Sequence, residues 1–260
     1  MSSEAELAYL IDGIAQNLRN DGRSCEQTRP IKVEFDVIPS ANSSARVTRD
    51  SDSSVLVGIK AELTSELRMP DEGLIDLNIE FASGEPETEL DPIFSFVLPR
   101  ISLDQLCIKQ GVMAWHLHVD CLVERSNGSI LDLVALAMKL ALSSLTLPQV
   151  SVLPQAERGE RQRVNFEKLS SFDASSVPLC LTFGVVRDRL FIDPNSDEEL
   201  ATCGSLLTAC ISENMEIMGI VKTGSGSMDA SVVEAVSEAA TAKVGAHLVQ
   251  ELKRMMMEDM

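Results

Sequence analysis

The stretch MAWHLHVDCLVERSNGSILDLVALAMKLALSSLTL, residues 113–147, decides the fold because two different hydrophobic periods follow each other within it. Its first part alternates between apolar and polar residues, which predicts a strand that buries one face. The apolar face consists of Trp115, Leu117, Val119, Cys121 and Val123, and the polar face of His116, His118, Asp120 and Glu124. Residues 130–147 are almost entirely apolar, which predicts a helix covered on nearly all sides. We therefore expect a core strand and a core helix joined by a turn at 126–129.

The turn between this strand and helix is a natural place for an anion, since free backbone N–H groups and the helix dipole point toward it. Phosphate chemistry there also favours a cation, most often arginine. The turn and the first helical residues are Asn127, Gly128, Ser129, Ile130, Leu131 and Asp132. None of them is a cation. We therefore expect any bound anion to compete with the carboxylate of Asp132.

The composition indicates a globular protein that does not bind nucleic acid by itself. The chain has 260 residues, of which 45% are hydrophobic, enough for one sizeable core or two fused halves. Its net charge of -18 repels a phosphate backbone, and aromatic residues, at 4%, are too few for base stacking. Residues 130–147 are fewer than the roughly 20 apolar residues of a membrane span, and they include Asp132 and Lys139. No membrane partner is therefore expected.

The six cysteines form no CxxC pair and have no histidine at zinc-ligand spacing. Several of them lie within apolar runs, so we expect reduced, buried thiols in an intracellular protein. The N-terminal residues include Glu4 and Glu6 and only a short apolar patch. This pattern argues against a cleaved secretion signal.

The remaining periodicity predicts two strand-rich halves, each closed by a helix. In the first half, we expect a short amphipathic helix at 4–19, strands at 31–37, 43–48, 55–63 and 74–82, and a short helix at 93–101. After the central stretch, we expect an edge strand at 150–153, a charged loop at 155–168, hairpins at 177–192 and 205–221, and a long helix at about 230–257. This order predicts an α+β fold in one domain spanning residues 1–260.

Four short motifs occur in an order typical of a known family. They are Asp21-Gly22-Arg23 with Arg29, Ser44-Ala45-Arg46-Val47, Val119-Asp120, and Asp193-Pro194. Each motif is weak by itself, but together, within a match from Leu10 to Leu252, they resemble the RNase PH-like family. The resemblance implies an RNase PH-like fold, also described as ribosomal protein S5 domain 2-like, with mixed sheets and packed helices.

Active members of this family hold phosphate with a loop that ends in arginine, and a divalent metal with two aspartates six residues apart. By resemblance, the loop corresponds to Asn127, Gly128, Ser129 and Ile130, and the metal positions correspond to Glu199 and Ser205. Isoleucine thus replaces the arginine, and serine replaces the second aspartate. Each loss would cost at least ~10² in rate, so the resemblance implies no catalysis, no bound metal and no cofactor.

These departures resemble the inactive ring subunits of the eukaryotic RNA exosome. The implied partners are other RNase PH-like ring subunits, a cap subunit carrying S1 and KH domains, RNA threaded through the ring, and an associated nuclease. Arg100 and Lys109 are candidate contacts to that RNA, with an ordinary surface cation as the alternative for each. The implied localisation is the nucleus, the nucleolus and the cytoplasm.

Two other functions stay open on the sequence. One is an active phosphorolytic 3'–5' exoribonuclease that binds its metal through Asp193, Asp197 or Glu199 in a shifted arrangement. The other is an intracellular interaction module unrelated to this family.

Overall fold

The larger of two main sheets is built around the central strand predicted from residues 113–125. The computed structural model of the protein describes residues 4–66, 68–84, 90, 93–153, 161–202, 205–224 and 226–258. In this sheet the strands are β1 (Ile31–Phe35), β2 (Ser43–Arg49), β3 (Ser53–Thr64), β4 (Leu74–Phe81), β5 (Cys107–Lys109) and β6 (Met113–Arg125). Their order is β1-β2-β3-β6-β4, with β5 also paired to β6. Strand β4 runs parallel to β6 and forms one edge of the sheet.

The second half contributes a hairpin and a smaller antiparallel sheet. The hairpin consists of β7 (Thr146–Leu153) and β8 (Arg161–Ser171). The smaller sheet has the order β10-β9-β11-β12 and consists of β9 (Leu179–Val186), β10 (Arg189–Ile192), β11 (Leu206–Ile211) and β12 (Ile217–Thr223). The prediction of a charged loop at 155–168 is wrong for residues 161–168, because these residues belong to β8. Residues 154–160 lie outside the described part.

The core helix α2 (Ile130–Ser143) lies between the two sheets and contacts β2 and β3 on one side and β9 on the other. Every residue from Ile130 to Leu142 is buried, as the continuous apolar run predicted. Lys139 is buried too, and its ammonium group donates to the carbonyls of Ala174 (2.8 Å) and Val177 (2.7 Å). The helix ends earlier than predicted, since the chain turns after Ser143 and enters β7 at Thr146.

Both terminal helices differ from the sequence prediction. The first, α1, spans Glu4–Ala15 rather than 4–19, because Asn17 takes a left-handed conformation (φ 62°) that a helix cannot continue through. The predicted helix at about 230–257 is two helices, α4 (Ala230–Thr241) and α5 (Lys243–Glu258). The break falls at Ala242, whose ψ is -124°. Gly245 allows the two helices to approach closely, since a Cβ there would clash with the carbonyl oxygen of Ala240.

Two other expectations about the chain are met, one for a short helical segment and one for the cysteines. Short helical turns occupy Ile93–Val97 and Leu98–Arg100, within the predicted 93–101. The five cysteines that the structure describes are free, and four of them are buried. None of the described helices is both long and apolar enough to span a membrane.

Candidate functional site

The turn between β6 and α2 is tightly fitted against the chain that follows β10. Gly128 has a φ of 74°, and a Cβ on it would lie 2.5 Å from the carbonyl oxygen of Pro194. The hydroxyl of Ser129 donates to that same oxygen (2.8 Å), and the amide oxygen of Asn127 accepts from the backbone N–H of Ser196 (3.2 Å). The predicted loop residues are therefore packed against residues 194–196 rather than arranged around an open pocket.

A carboxylate of the chain itself binds at the N-terminus of α2. The backbone N–H of Ser129 donates to Glu199 Oε1 at 2.7 Å. Glu199 belongs to a short helix, α3 (Ser196–Ala201), whose first turn Asn195 and Glu198 close with a reciprocal capping box. The position that favours an anion, through its free N–H group and the helix dipole, is thus occupied by Glu199.

Asp132 does not serve the helix N-terminus, contrary to the sequence expectation. Its carboxylate points into the core and accepts from the backbone N–H (2.8 Å) and the hydroxyl (2.7 Å) of Thr182 on β9. Burial raises the pKa of Asp132 to about 6, against the opposing effects of Arg49 and the Thr182 hydrogen bonds. The residue therefore links α2 to the smaller sheet.

Guanidinium groups from other parts of the chain reach the turn, whose own residues 127–132 include no cation. Arg29, in the loop before β1, donates to the carbonyl of Asn127 (2.7 Å), and Arg49, at the end of β2, donates to the carbonyl of Ser129 (3.2 Å). Both guanidinium groups also bind Asp193, at 2.6 Å from Arg29 and 2.8 Å from Arg49. The two guanidinium groups thus share one carboxylate of the chain.

Asp193 is the centre of this ion network. Besides Arg29 and Arg49, its carboxylate accepts from Arg23 (2.9 Å) and from the backbone N–H of Arg29 (2.7 Å). Burial by itself would raise the pKa of Asp193, but the charge of Arg49 and the hydrogen bonds and charge of Arg29 outweigh it and lower the pKa to about 2. Asp193 is therefore ionised at neutral pH and bound by three arginines.

A second buried pair extends the network toward α1. Arg19 makes two contacts with the carboxylate of Glu198, of which Nε to Oε1 measures 2.7 Å, and both side chains are fully buried. It also donates to the backbone carbonyls of Ile192 and Asp193, each at 2.8 Å. The arginines of the network thus come from the first half of the chain and the carboxylates from the second.

Comparison with known proteins agrees with this architecture. One family model, described as 3' exoribonuclease family, domain 1, matches residues 27–148, and a second, domain 2 of the same family, matches residues 176–243. The chain belongs to the 3' exoribonuclease (RNase PH) family. The two models correspond to the larger sheet with α2 and to the smaller sheet with the start of the terminal helices.

Relatives within the RNase PH family place the chain near the Rrp42 proteins. The exosome complex component Rrp42 of Thermococcus kodakarensis is 30% identical over 213 residues, which cover 76% of each chain. A putative exosome complex exonuclease RRP42 of Dictyostelium discoideum is 26% identical, with 93% of each chain covered. A chain of the solved structure "Archaeal exosome core" superposes with a TM-score of 0.77 at 24% identity, covering 95% of this chain and 96% of its own. The predicted RNase PH-like fold and family are therefore confirmed, and an unrelated module is excluded.

The residues matched to the family's metal positions have hydrogen-bond partners within the chain. Glu199 binds the N–H of Ser129, whereas the Ser205 hydroxyl accepts from the backbone N–H of Gly226 (2.9 Å). The other carboxylate pair six residues apart, Asp193 and Glu199, does meet at the turn, but the N–H groups of three arginines engage Asp193. Among the described residues, no group of three metal-ligating side chains includes any of these positions.

Three predicted residues remain, and one of them, Ile130, directly follows the turn. Ile130, matched to the family's loop arginine, is 7% exposed and belongs to the apolar core. Arg100 donates to the carbonyl of Met218 on β12 (2.8 Å), and Lys109 is the exposed last residue of the short strand β5. Contact of Arg100 and Lys109 with RNA stays a prediction.

Arg49 was missed by sequence reasoning although a signal for it exists. It follows Ala45 and Val47 at every second position of β2, so it shares their buried face. A buried guanidinium group requires a counter-charge. The alternation of β2 therefore indicated an internal ion pair, but the position of its partner Asp193, 144 residues later, could not be inferred from spacing.

Proposed function

We propose that this chain is a non-catalytic structural subunit of the core ring of a eukaryotic RNA exosome. In that role it holds neighbouring chains together and helps to thread RNA during 3'–5' processing and degradation. Membership of the RNase PH family, relatives named as exosome components, and coverage of more than nine tenths of a chain from an exosome core support an assembly role. The relative from Dictyostelium, a eukaryote, extends this likeness beyond the archaeal proteins.

The single observation that carries the non-catalytic part is the occupation of the anion-binding groups by the chain's own carboxylates. Glu199 accepts a hydrogen bond from the N–H at the start of α2, and Asp193 forms ion pairs with Arg23, Arg29 and Arg49. Phosphorolysis requires inorganic phosphate in that place and a cation that stabilises the developing charge. A phosphate would have to displace a buried carboxylate from its guanidinium partners, which costs several kcal/mol.

An active phosphorolytic 3'–5' exoribonuclease is the second candidate. It is favoured by two features of the same turn, the guanidinium groups of Arg29 and Arg49 and the pair of carboxylates Asp193 and Glu199. Activity would require these groups to release each other and to bind phosphate and metal instead. The two candidate functions therefore differ in whether these arginines and carboxylates separate from their present partners.

The proposed partners are other RNase PH-like ring subunits, S1/KH cap subunits, RNA within the assembled channel, and an associated exosome nuclease. An acidic chain of net charge -18 fits a ring whose RNA-facing cations come from several subunits, with Arg100 and Lys109 as this chain's candidates. We propose the nucleus, the nucleolus and the cytoplasm as its locations, with no membrane partner, no cofactor and no catalytic metal.

A phosphorolysis assay tests the non-catalytic part. The purified chain is incubated with a 3'-tailed RNA, Mg²⁺ and inorganic phosphate, and released nucleoside diphosphates are measured by chromatography. We expect no release above a blank without protein. The Asp193→Asn variant is the matched control: release by the natural chain that disappears in the variant would establish catalysis and overturn the proposal, whereas equal release by both identifies a contaminating nuclease.

Co-purification tests the assembly part. The natural chain carrying a small affinity tag is recovered from eukaryotic cells, and the co-purifying chains are identified by mass spectrometry. We expect RNase PH-like chains together with S1- or KH-domain chains in stoichiometric amounts. Recovery of a monomer without such chains would contradict the ring assignment.

A further inference from the structure

Three side chains with metal-binding atoms meet on the outer face of the larger sheet. His116 and His118 lie two residues apart on β6, and Asp76 lies on the neighbouring strand β4, in register with His118. His116 Nε2 is 2.8 Å from Asp76 Oδ2, and the two imidazole ring centroids are 4.1 Å apart. One ligand atom from each side chain lies within 4.8 Å of the other two. Among the described residues, no other group of three histidine, cysteine or acidic side chains meets this criterion.

We propose that His116, His118 and Asp76 form a zinc-binding site. Two imidazole nitrogens and one carboxylate oxygen are a common set of three protein ligands for Zn²⁺, with a fourth position left to water or another group. Tetrahedral bonds of about 2.0 Å place ligand atoms about 3.3 Å apart, so atoms that lie within 4.8 Å of one another need to approach by no more than about 1.5 Å. Small side-chain rotations achieve this, since all three side chains reach solvent, at 19%, 38% and 51% exposed for His116, His118 and Asp76.

The chemistry of the three ligands selects among metals. Imidazole nitrogen suits Zn²⁺ and other late first-row ions, whereas Mg²⁺ prefers an octahedral shell made of oxygen and retains several waters. The ligands also come from paired strands of the sheet, so their backbone positions are fixed before the metal arrives. The site therefore prefers zinc over the magnesium that accompanies RNA.

Charges around the ligands both support and oppose a cation. Glu62 on β3 lies 3.9 Å from His118 Nε2 and is the nearest candidate for a fourth ligand, although it also pairs with Lys60 at 2.8 Å. Arg68 lies 3.6 Å from Asp76 Oδ1. The side chains of Lys60 and Arg68 are both well exposed, and exposed ion pairs are weak. A metal ion can therefore replace these two cations as the partner of Glu62 and Asp76.

The consequence of binding is a link between two strands. Of the paired strands in the larger sheet, β4 lies at the end of the order and pairs with β6 in parallel. A zinc ion held by Asp76 on one strand and by two histidines on the other stabilises this edge. Sequence spacing could not show the site, since Asp76 lies 40 residues before His116.

Metal titration of the full chain, free of any histidine tag, tests the proposal. The chain is stripped with a chelator and titrated with Zn²⁺ alone against a chromogenic zinc indicator, in excess Mg²⁺. We expect one bound zinc per chain and a higher Tm in its presence, because an ion that binds only the folded state stabilises it. His116→Asn, His118→Asn and Asp76→Asn should each weaken binding by more than about tenfold.

The matched control is His247→Asn, which removes the third histidine of the chain, located on α5 beside Glu251 (3.8 Å). It should bind zinc as the natural chain does. Circular dichroism establishes that each variant is folded, and Asp76→Asn, at the most exposed ligand, provides the test if a histidine variant does not fold. Absence of stoichiometric zinc in the natural chain, unchanged binding in the ligand variants, or loss of binding in His247→Asn would each overturn the proposal.

Discussion

Replacement of Asp193 by asparagine probes the ion network at the turn most directly. The side chain keeps its shape but loses its charge, which leaves Arg29 and Arg49, 5% and 6% exposed, without their counter-ion. The depression of the Asp193 pKa from 3.8 to about 2 corresponds to about 2.4 kcal/mol of stability at neutral pH. Breaking a buried ion pair by removing one partner typically costs about 3–5 kcal/mol. We therefore expect Asp193→Asn to lower the free energy of unfolding by about 2–5 kcal/mol.

Equilibrium urea unfolding of the full chain, followed by circular dichroism, measures this loss. Because the pKa is lowered in the folded state, the contribution of Asp193 is complete above about pH 4 and is lost as the pH falls toward 2. The difference between the natural chain and the variant should therefore be constant from pH 5 to 8 and shrink below pH 4. Glu34→Gln, which removes an exposed partner of Lys32 and Arg46, is the control and should unfold at the same urea concentration as the natural chain. A loss below about 1 kcal/mol at pH 7 for Asp193→Asn would refute the reasoning.

Two further substitutions test the surroundings of the turn. Burial raises the pKa of Asp132 from 3.8 to about 6, so its contribution to stability falls by about 3 kcal/mol as the pH rises from 3 to 7. Asp132→Asn lacks this titration, so the free energy of unfolding of the natural chain minus that of the variant should fall by the same amount over this range. Equal pH profiles would contradict this. Gly128→Ala should destabilise the chain by about 3 kcal/mol or more, since it combines a left-handed φ with a Cβ 2.5 Å from the carbonyl oxygen of Pro194. Gly111 has a similar φ but open space around it, so Gly111→Ala should lower the free energy of unfolding by only about 1 kcal/mol in the same urea experiment. Equal losses for the two variants would show that the close packing at Gly128 does not matter.

The main architecture could be predicted because hydrophobic periodicity reports burial directly. Alternation identified β6, and the continuous apolar run identified α2 as a core helix, which its burial from Ile130 to Leu142 confirms. The residues at which helices begin and end could be predicted less well from periodicity. A terminal apolar pattern looks continuous across Ala242, although a single unusual ψ divides it into α4 and α5.

The candidate site was predicted only in part, because its groups meet through tertiary contacts. The sequence located the turn at 126–129 but gave the local carboxylate role to Asp132, whereas Glu199, 70 residues from Ser129, binds the N–H of Ser129. Charged residues in 155–168 indicated a loop, yet backbone pairing places residues 161–168 in β8. Strand pairing through the backbone does not require apolar alternation, so composition alone could not reveal that hairpin.

The division of charge across the turn has a practical consequence for work on the separate halves. Arg19, Arg23, Arg29 and Arg49 precede the central helix, and their acidic partners Asp193 and Glu198 follow it. A fragment ending before the smaller sheet would carry surplus positive charge at a newly exposed surface, and the complementary fragment would carry the matching surplus of negative charge. Each fragment lacks the counter-charges that the other one provides. The two fragments should therefore be co-expressed in one cell rather than purified separately when they are studied as a split protein.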